Sequence, residues 1–299
     1  MRKDDEPPFK VTSKPIILDV MKHCRLVNVT HLAALASLVA HFFLASPANA
    51  AASAWTSTEG AAIRIVAAKP MSDGTIPAIL DVRLKPGWKT YWLEPGASGI
   101  APQLTVPPES GVTFSGIRFP VPRHFEDGDV RFTGYDHSVA FPLKLKTENA
   151  GGDIKLKASV FLGVCKDICI PVQAELDVAL PARMVDNPLE KARIDDAVAA
   201  LPSEPSETFR VASASFDAAT MKMRLAMTVP AGIEMPELFL AGPPNYDFGN
   251  PENIQRNGNT MTIDVPVRVP AKGGALKSGS VLLVAKAGEQ SIESALAFD

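Results

Sequence analysis

The sequence predicts an all-β protein, two immunoglobulin-like β-sandwich domains joined by a short helix and linker. Three observations carry that reading. Apolar residues alternate with polar ones over long stretches, the 26 prolines are spread along the chain, and one helix signal interrupts the alternation. Scattered Pro suits many short strands and turns better than long helices.

The clearest alternation runs through Ile154, Leu156, Ala158, Val160, Leu162 and Val164, with Lys155, Lys157 and Ser159 opposite. It repeats through Ile170, Val172, Ala174, Leu176, Val178 and Leu180, with Gln173, Glu175 and Asp177 opposite. A period of two marks half-buried strands. Weaker strand candidates are Ala61–Ala67, Ala78–Leu84, Val112–Phe119 and Val139–Thr147. The sum is about seven strands before residue 182, the number an immunoglobulin-like sandwich needs.

Asn187-Pro188-Leu189-Glu190 then reads as a helix start, with Asn as cap, Pro at the first position and Glu three residues after the cap. The helix is expected to run to about Leu201 and stop at Pro202, with a linker at Ser203–Ser206. Beyond it Met221, Met223, Leu225, Met227 and Val229 are expected to share one strand face, and Ile263, Val265, Val267 and Val269 another. Val281–Ala285 and Ser291–Phe298 complete a second all-β unit. The expected boundaries are 55–183 for the first sandwich, 184–206 for the helical linker and 207–299 for the second sandwich.

The amino-terminal 50 residues read as an export signal. Leu32–Ala45 is an almost wholly apolar run, shorter than the ~20 residues of a membrane span. Lys22, His23 and Arg25 precede it, and Pro47-Ala48-Asn49-Ala50 follows as a small-residue peptidase site. Met21 is a natural start for such a signal. Cleavage after Ala50 would leave two cysteines, an even number suited to an oxidising compartment. Residues 1–50 hold six of the 30 basic and four of the 33 acidic residues, so residues 51–299 carry a net charge of −5. That balance argues against nucleic acid, which needs clustered positive charge. The Ser, Asp and Glu residues form no nucleophile elbow, paired-acid or phosphate-loop pattern.

The two remaining cysteines, Cys165 and Cys169, lie four residues apart. Extended chain would separate them by ~13 Å, whereas a disulfide needs Cα atoms within ~7 Å. A bond therefore requires a turn at Lys166–Ile168, between the two strongest strands. Closing so small a ring contributes about 2 kcal/mol, against ~4.7 for a loop of about 100 residues. Three roles stay open on spacing alone: thiol–disulfide exchange, a local staple, or metal binding. For a metal, His124 and His137 are the only later histidines, and neither has finger-like spacing to the cysteines. Soft copper(I) could use Met221, Met223 and Met227, whose shared face otherwise makes them core. Trp88, Tyr91 and Trp92 read as packing residues, and His124 and His137 as solvated loop residues.

Gly163-Val-Cys-Lys-Asp-Ile-Cys-Ile-Pro171 resembles the active-site hairpin of the N-terminal periplasmic domain of DsbD-type thiol–disulfide interchange proteins. Pro86-Gly-Trp-Lys-Thr-Tyr-Trp92 and Glu94-Pro-Gly-Ala-Ser-Gly-Ile-Ala-Pro102 are similar to that family's signature stretch. The resemblance covers roughly residues 60–182, and the two-sandwich layout is similar to the ScsB branch, associated with copper tolerance. It implies that Cys165 and Cys169 are the redox pair. It also implies that Arg131, Phe132, Thr133, Gly134 and Tyr135 form the loop that caps them, with Phe132 as the shield. Cys165 is the expected attacking thiol, a choice the resemblance itself does not fix. The implied partners are periplasmic thioredoxin-fold proteins, among them disulfide isomerases and cytochrome c maturation factors. No cofactor is implied. Best-known members place five residues between the cysteines, and this chain has three. Val130 and Arg131 stand where acidic residues precede the cap aromatic in the family, with Asp127 and Asp129 nearby. With no membrane or thioredoxin-like domain in this sequence, electrons would come from a separate polytopic membrane reductase. The alternatives are a non-catalytic interaction module with a structural disulfide, or a copper(I)-handling protein.

Overall fold

A computed structural model describes residues 51–96, 99–127, 130–270 and 276–298. The export signal expected over residues 1–50, and Asp129, lie outside the described residues. The first part of the chain builds β1 (Thr56–Ser57), β2 (Ala61–Ala67), β3 (Thr75–Ile76), β4 (Ala78–Leu84), β5 (Lys89–Tyr91) and β6 (Gln103–Thr105). It continues with β7 (Val112–Ile117), β8 (Arg123–Asp127), β9 (Val130–Tyr135), β10 (Val139–Thr147), β11 (Ile154–Cys165) and β12 (Cys169–Leu180). Helix α1 (Pro188–Ala199) follows. The remainder forms β13 (Arg210–Asp217), β14 (Lys222–Thr228), β15 (Glu237–Ala241), β16 (Asp247–Phe248), β17 (Glu252–Asn257), β18 (Thr260–Arg268), β19 (Leu282–Ala287) and β20 (Gln290–Ala295).

Four antiparallel sheets result. One runs β1-β2-β4-β10-β3 with β7 on β10, and it faces a second, β12-β11-β5-β9-β8 with β6 on β11. Between them Ile63, Ile65, Leu80, Phe141, Leu156, Val160 and Leu162 are fully buried. These are the alternating apolar positions of the sequence, placed on the inner faces as a period of two requires. The third sheet is β13-β14-β18-β16 with β17 on β18, and the fourth is β15-β19-β20. Met223, Leu225, Met227, Ile263, Val265, Leu283 and Ala285 fill the core between them.

The fourth sheet is apolar on both faces. Leu238, Leu283 and Ala285 point into the second core, while Phe239, Ala241 and Val284 join the first. The unbroken apolar run Leu282-Leu283-Val284-Ala285 is what a strand buried on two sides needs. Ala50–Asp299 is accordingly one compact unit holding two sandwiches.

Asn187 caps α1 as expected, its Oδ1 accepting from the Leu189 amide at 3.0 Å. The helix packs Ile194 and Ala197 onto Val66, Ile79 and Ala140 of the first sheet. Asp81, almost fully buried, receives Arg64 at 3.3 Å and Arg193 at 2.9 Å beneath it. The segment thus docks on the sandwich.

Several expectations need correction. Val112 starts a strand that ends at Ile117, before Phe119. Met221 does not share the face of Met223 and Met227: it is 46% exposed in a turn at φ 53°, while the other two are fully buried. The three thioethers therefore offer no common face. His124 lies on strand β8 rather than in a loop, while its side chain is exposed as expected. Five-residue or shorter strands β5, β6 and β8, and the six-residue β9, raise the strand number above seven among the described residues.

Candidate functional site

Strands β11 and β12 pair in unbroken register from Ile154↔Leu180 to Cys165↔Cys169. Lys166, Asp167 and Ile168 make the connection, with the Lys166 amide donating to the Ile168 carbonyl at 3.2 Å. The expected turn is there, and Cys165 and Cys169 form a disulfide with Cα atoms 4.1 Å apart. The core-facing residues of β11 are even-numbered up to Val164, so Cys165 falls on the outer face. Cys165 is half-buried and Cys169 exposed. Ile168 at the tip is 66% exposed.

Strand β5 supplies the floor beside the sulfurs. It pairs with β11 through Val164↔Thr90 and Cys165↔Lys89. Residues directly opposite share a face with Cβ atoms about 5 Å apart, which sets the Lys89 ammonium stem next to Cys165. Two residues on, Tyr91 lies over Gly163, and its hydroxyl stands 2.9 Å from the Cys169 sulfur. Gly163 is needed there: a Cβ would sit 2.9 Å from the Tyr91 ring and 2.9 Å from Ile100. Burial raises the Tyr91 pKa above 10.0, so the phenol keeps its proton and can donate to sulfur.

The β8–β9 hairpin borders this floor. Its pairs Phe125↔Phe132 and His124↔Thr133 alternate between two faces. On one face Phe132 stacks on Phe125 at 5.0 Å and meets the Tyr91 ring edge-on at 5.8 Å. The Lys89 ammonium lies 5.3 Å from both phenyl rings, within cation–π range. The hairpin is pinned close to β5, since a Cβ on Gly134 would fall 2.1 Å from the Thr90 carbonyl oxygen.

The five residues expected to form a cap loop are therefore a strand, and they divide. Phe132 faces the Tyr91–sulfur cluster. Arg131 is exposed and pairs with Glu126 at 3.1 Å. The Thr133 backbone carbonyl accepts from the Trp92 amide at 3.0 Å. Gly134 permits the strand contact, and Tyr135 is core, its hydroxyl donating to the Pro120 carbonyl at 2.8 Å. Sequence reasoning singled out Phe132 but read Tyr91 as packing and passed over Lys89 and Phe125. The usable signal was the two-residue spacing of Lys89 and Tyr91, which puts both on one strand face.

His124 occupies the other face of the hairpin. Its ring stacks on Phe239 at 4.4 Å, and Nε2 donates to the Leu238 carbonyl at 3.1 Å. His137 is exposed beside Asp136 at 3.0 Å. Among the described residues no cluster of three or more His, Cys, Asp or Glu side chains is placed to hold a metal ion.

Residues 59–181 match the family model described as thiol:disulfide interchange protein DsbD, N-terminal. The first sandwich is a DsbD N-terminal-type domain. Within that DsbD-type domain lie the disulfide, Tyr91, Lys89 and both strands of the hairpin. Residues 200–298 match a second model, described as a domain of unknown function (DUF8393). A crystal structure of the N-terminal periplasmic domain of ScsB from Proteus mirabilis superposes with a TM-score of 0.66 at 22% identity. The match covers 84% of this chain and all of that one, so the fold likeness extends beyond the DsbD-type domain. No curated protein matches the chain significantly.

Proposed function

We propose that the protein is a periplasmic thiol–disulfide interchange protein that passes electrons through the Cys165/Cys169 pair to or from thioredoxin-fold partners. The observation that carries this reading is the placement of the disulfide. It closes a three-residue turn at the end of a long hairpin, with one sulfur exposed and a protonated phenol against it. A structural staple gains little from so short a ring, and a bond that a visiting thiolate can reach is the kind that exchanges.

Exposure favours Cys169, not Cys165, as the sulfur that meets the partner. In the reducing direction the Cys169 thiolate attacks the partner's disulfide, forming a mixed disulfide and releasing one partner thiolate. Cys165 then attacks Cys169 Sγ, breaks that link, restores the internal disulfide and releases the second partner thiolate. Two electrons pass to the partner. In the opposite direction a partner thiolate attacks Cys169 and Cys165 leaves. The Tyr91 hydroxyl and the Lys89 ammonium both favour thiolate at this end of the sheet. Phe132 and Phe125 hold Tyr91 and Lys89 in place beside the pair, and Ile168 offers an apolar contact to the visitor.

The test is trapping. With Cys165→Ser, the remaining Cys169 thiol should accumulate mixed disulfides with thioredoxin-fold proteins in a periplasmic extract. Cys169→Ser should trap far less. If neither variant traps such a protein, the proposal fails.

A further inference from the structure

The β8–β9 hairpin has two occupied faces, and they belong to different sandwiches. One carries Phe125 and Phe132 against Lys89 and Tyr91, and Tyr91 touches the Cys169 sulfur. The other carries His124, which stacks on Phe239 and donates to the Leu238 carbonyl of the second sandwich. Thr133 Oγ1 lies 3.5 Å from the other ring nitrogen. With Nε2 protonated toward the carbonyl, Nδ1 accepts that weak bond, so the ring orientation is set from both sides. Trp92, directly after Tyr91, also meets Phe239 edge-on at 6.2 Å.

We infer that the second sandwich is a brace for the redox pair, and that His124 is the positioning residue through which it holds the β8–β9 hairpin against Lys89 and Tyr91, the residue whose hydroxyl meets the Cys169 sulfur. This rests on the interchange reading above and gives the second sandwich a role in it. The reason is mechanical. A two-stranded arm at a sheet edge opens readily on its own. Here β8 is the edge strand, bonded within its sheet to β9 alone. A stack and a hydrogen bond from a neighbouring sheet raise the cost of opening. The brace keeps the Tyr91 ring against one side of the Cys169 sulfur, so a small thiol meets that side covered, whereas a partner's binding energy can displace the ring.

The experiment compares wild type with His124→Ala and His124→Gln. It measures the rate of disulfide reduction by dithiothreitol, the rate of reoxidation, and the equilibrium potential. Loss of the brace should raise both rates by the same factor, roughly three- to tenfold for one hydrogen bond and one stack, with the potential unchanged. Gln, which can donate to Leu238, should restore part of the protection. A residue that only stabilised the fold would lower the melting temperature and leave these rates alone. If His124→Ala does not fold, Phe239→Leu removes the stack while keeping an apolar side chain, and the same rate increase is expected. Unchanged rates in a folded variant overturn the inference, as does a change in one direction only. A wild-type disulfide that dithiothreitol does not reduce at all would instead overturn the interchange reading, and the brace with it.

Discussion

The Tyr91 hydroxyl lies 2.9 Å from the Cys169 sulfur although the two residues are 78 positions apart. The contact exists because β5 lies against β11 with Lys89 opposite Cys165, and because Gly163 leaves room for the ring. Fold and chemistry meet at that point: the register of one three-residue strand decides which groups face the sulfurs.

Tyr91→Phe keeps the ring and removes the donor. A hydrogen bond to a charged group contributes about 1.5 kcal/mol or more, equal to roughly one pH unit. The pH profile for alkylation of the reduced protein should therefore move upward by about one unit. An unmoved profile would show that the phenol does not touch the thiolate.

Gly163→Ala places a methyl against both Tyr91 and Ile100. Overpacking of this kind costs about 1–3 kcal/mol. The expected outcome is a lower denaturant midpoint together with faster reduction by a small thiol, because the displaced ring no longer lies on the sulfur.

The long strands were legible in the sequence because their apolar residues serve one core. Ala61–Ala67, Ala78–Leu84 and Val139–Thr147 appear in the structure with the expected ends, and the long β11–β12 hairpin extends its alternation to the cysteines. Strands β5 and β8 were not legible. Lys89-Thr90-Tyr91 is too short for a period to register. Arg123-His124-Phe125-Glu126-Asp127 uses its aromatic residues to border the sulfur site and to meet the second sandwich, not to fill a core. Met221 matched the alternation of β14, but a turn at positive φ removes it from that face. The cysteine pair was visible from spacing; the groups around it come from strands paired across the sheet, which spacing cannot reveal.

Asp81→Ala leaves Arg64 and Arg193 facing one another beneath α1 without their shared carboxylate. Removing one member of a buried ion pair costs about 3–5 kcal/mol, and partial exposure of the arginines reduces that to about 2. Chemical denaturation should show the loss, and limited proteolysis should cut sooner near residues 184–206 as the helix loosens.

Asp264 accepts from Arg224 Nε at 2.7 Å and Nη2 at 3.0 Å, and from Asn253 at 3.2 Å. The Arg224 hydrogen bonds hold its pKa below the ordinary 3.8. A carboxyl depressed in the folded state stabilises above its unfolded pKa and loses that contribution as pH falls through the folded value. Asp264→Asn should therefore be less stable than wild type at neutral pH. The gap should begin to close only as pH falls below about 4 and vanish below the depressed folded value, measured as unfolding free energy against pH.

The reduction potential of the Cys165–Cys169 bond tests the central claim most directly. Equilibration of the purified protein in defined dithiol buffers should give a value in the range of exchanging disulfides, between about −270 and −120 mV. A value well below about −300 mV would mark an inert staple and contradict the account.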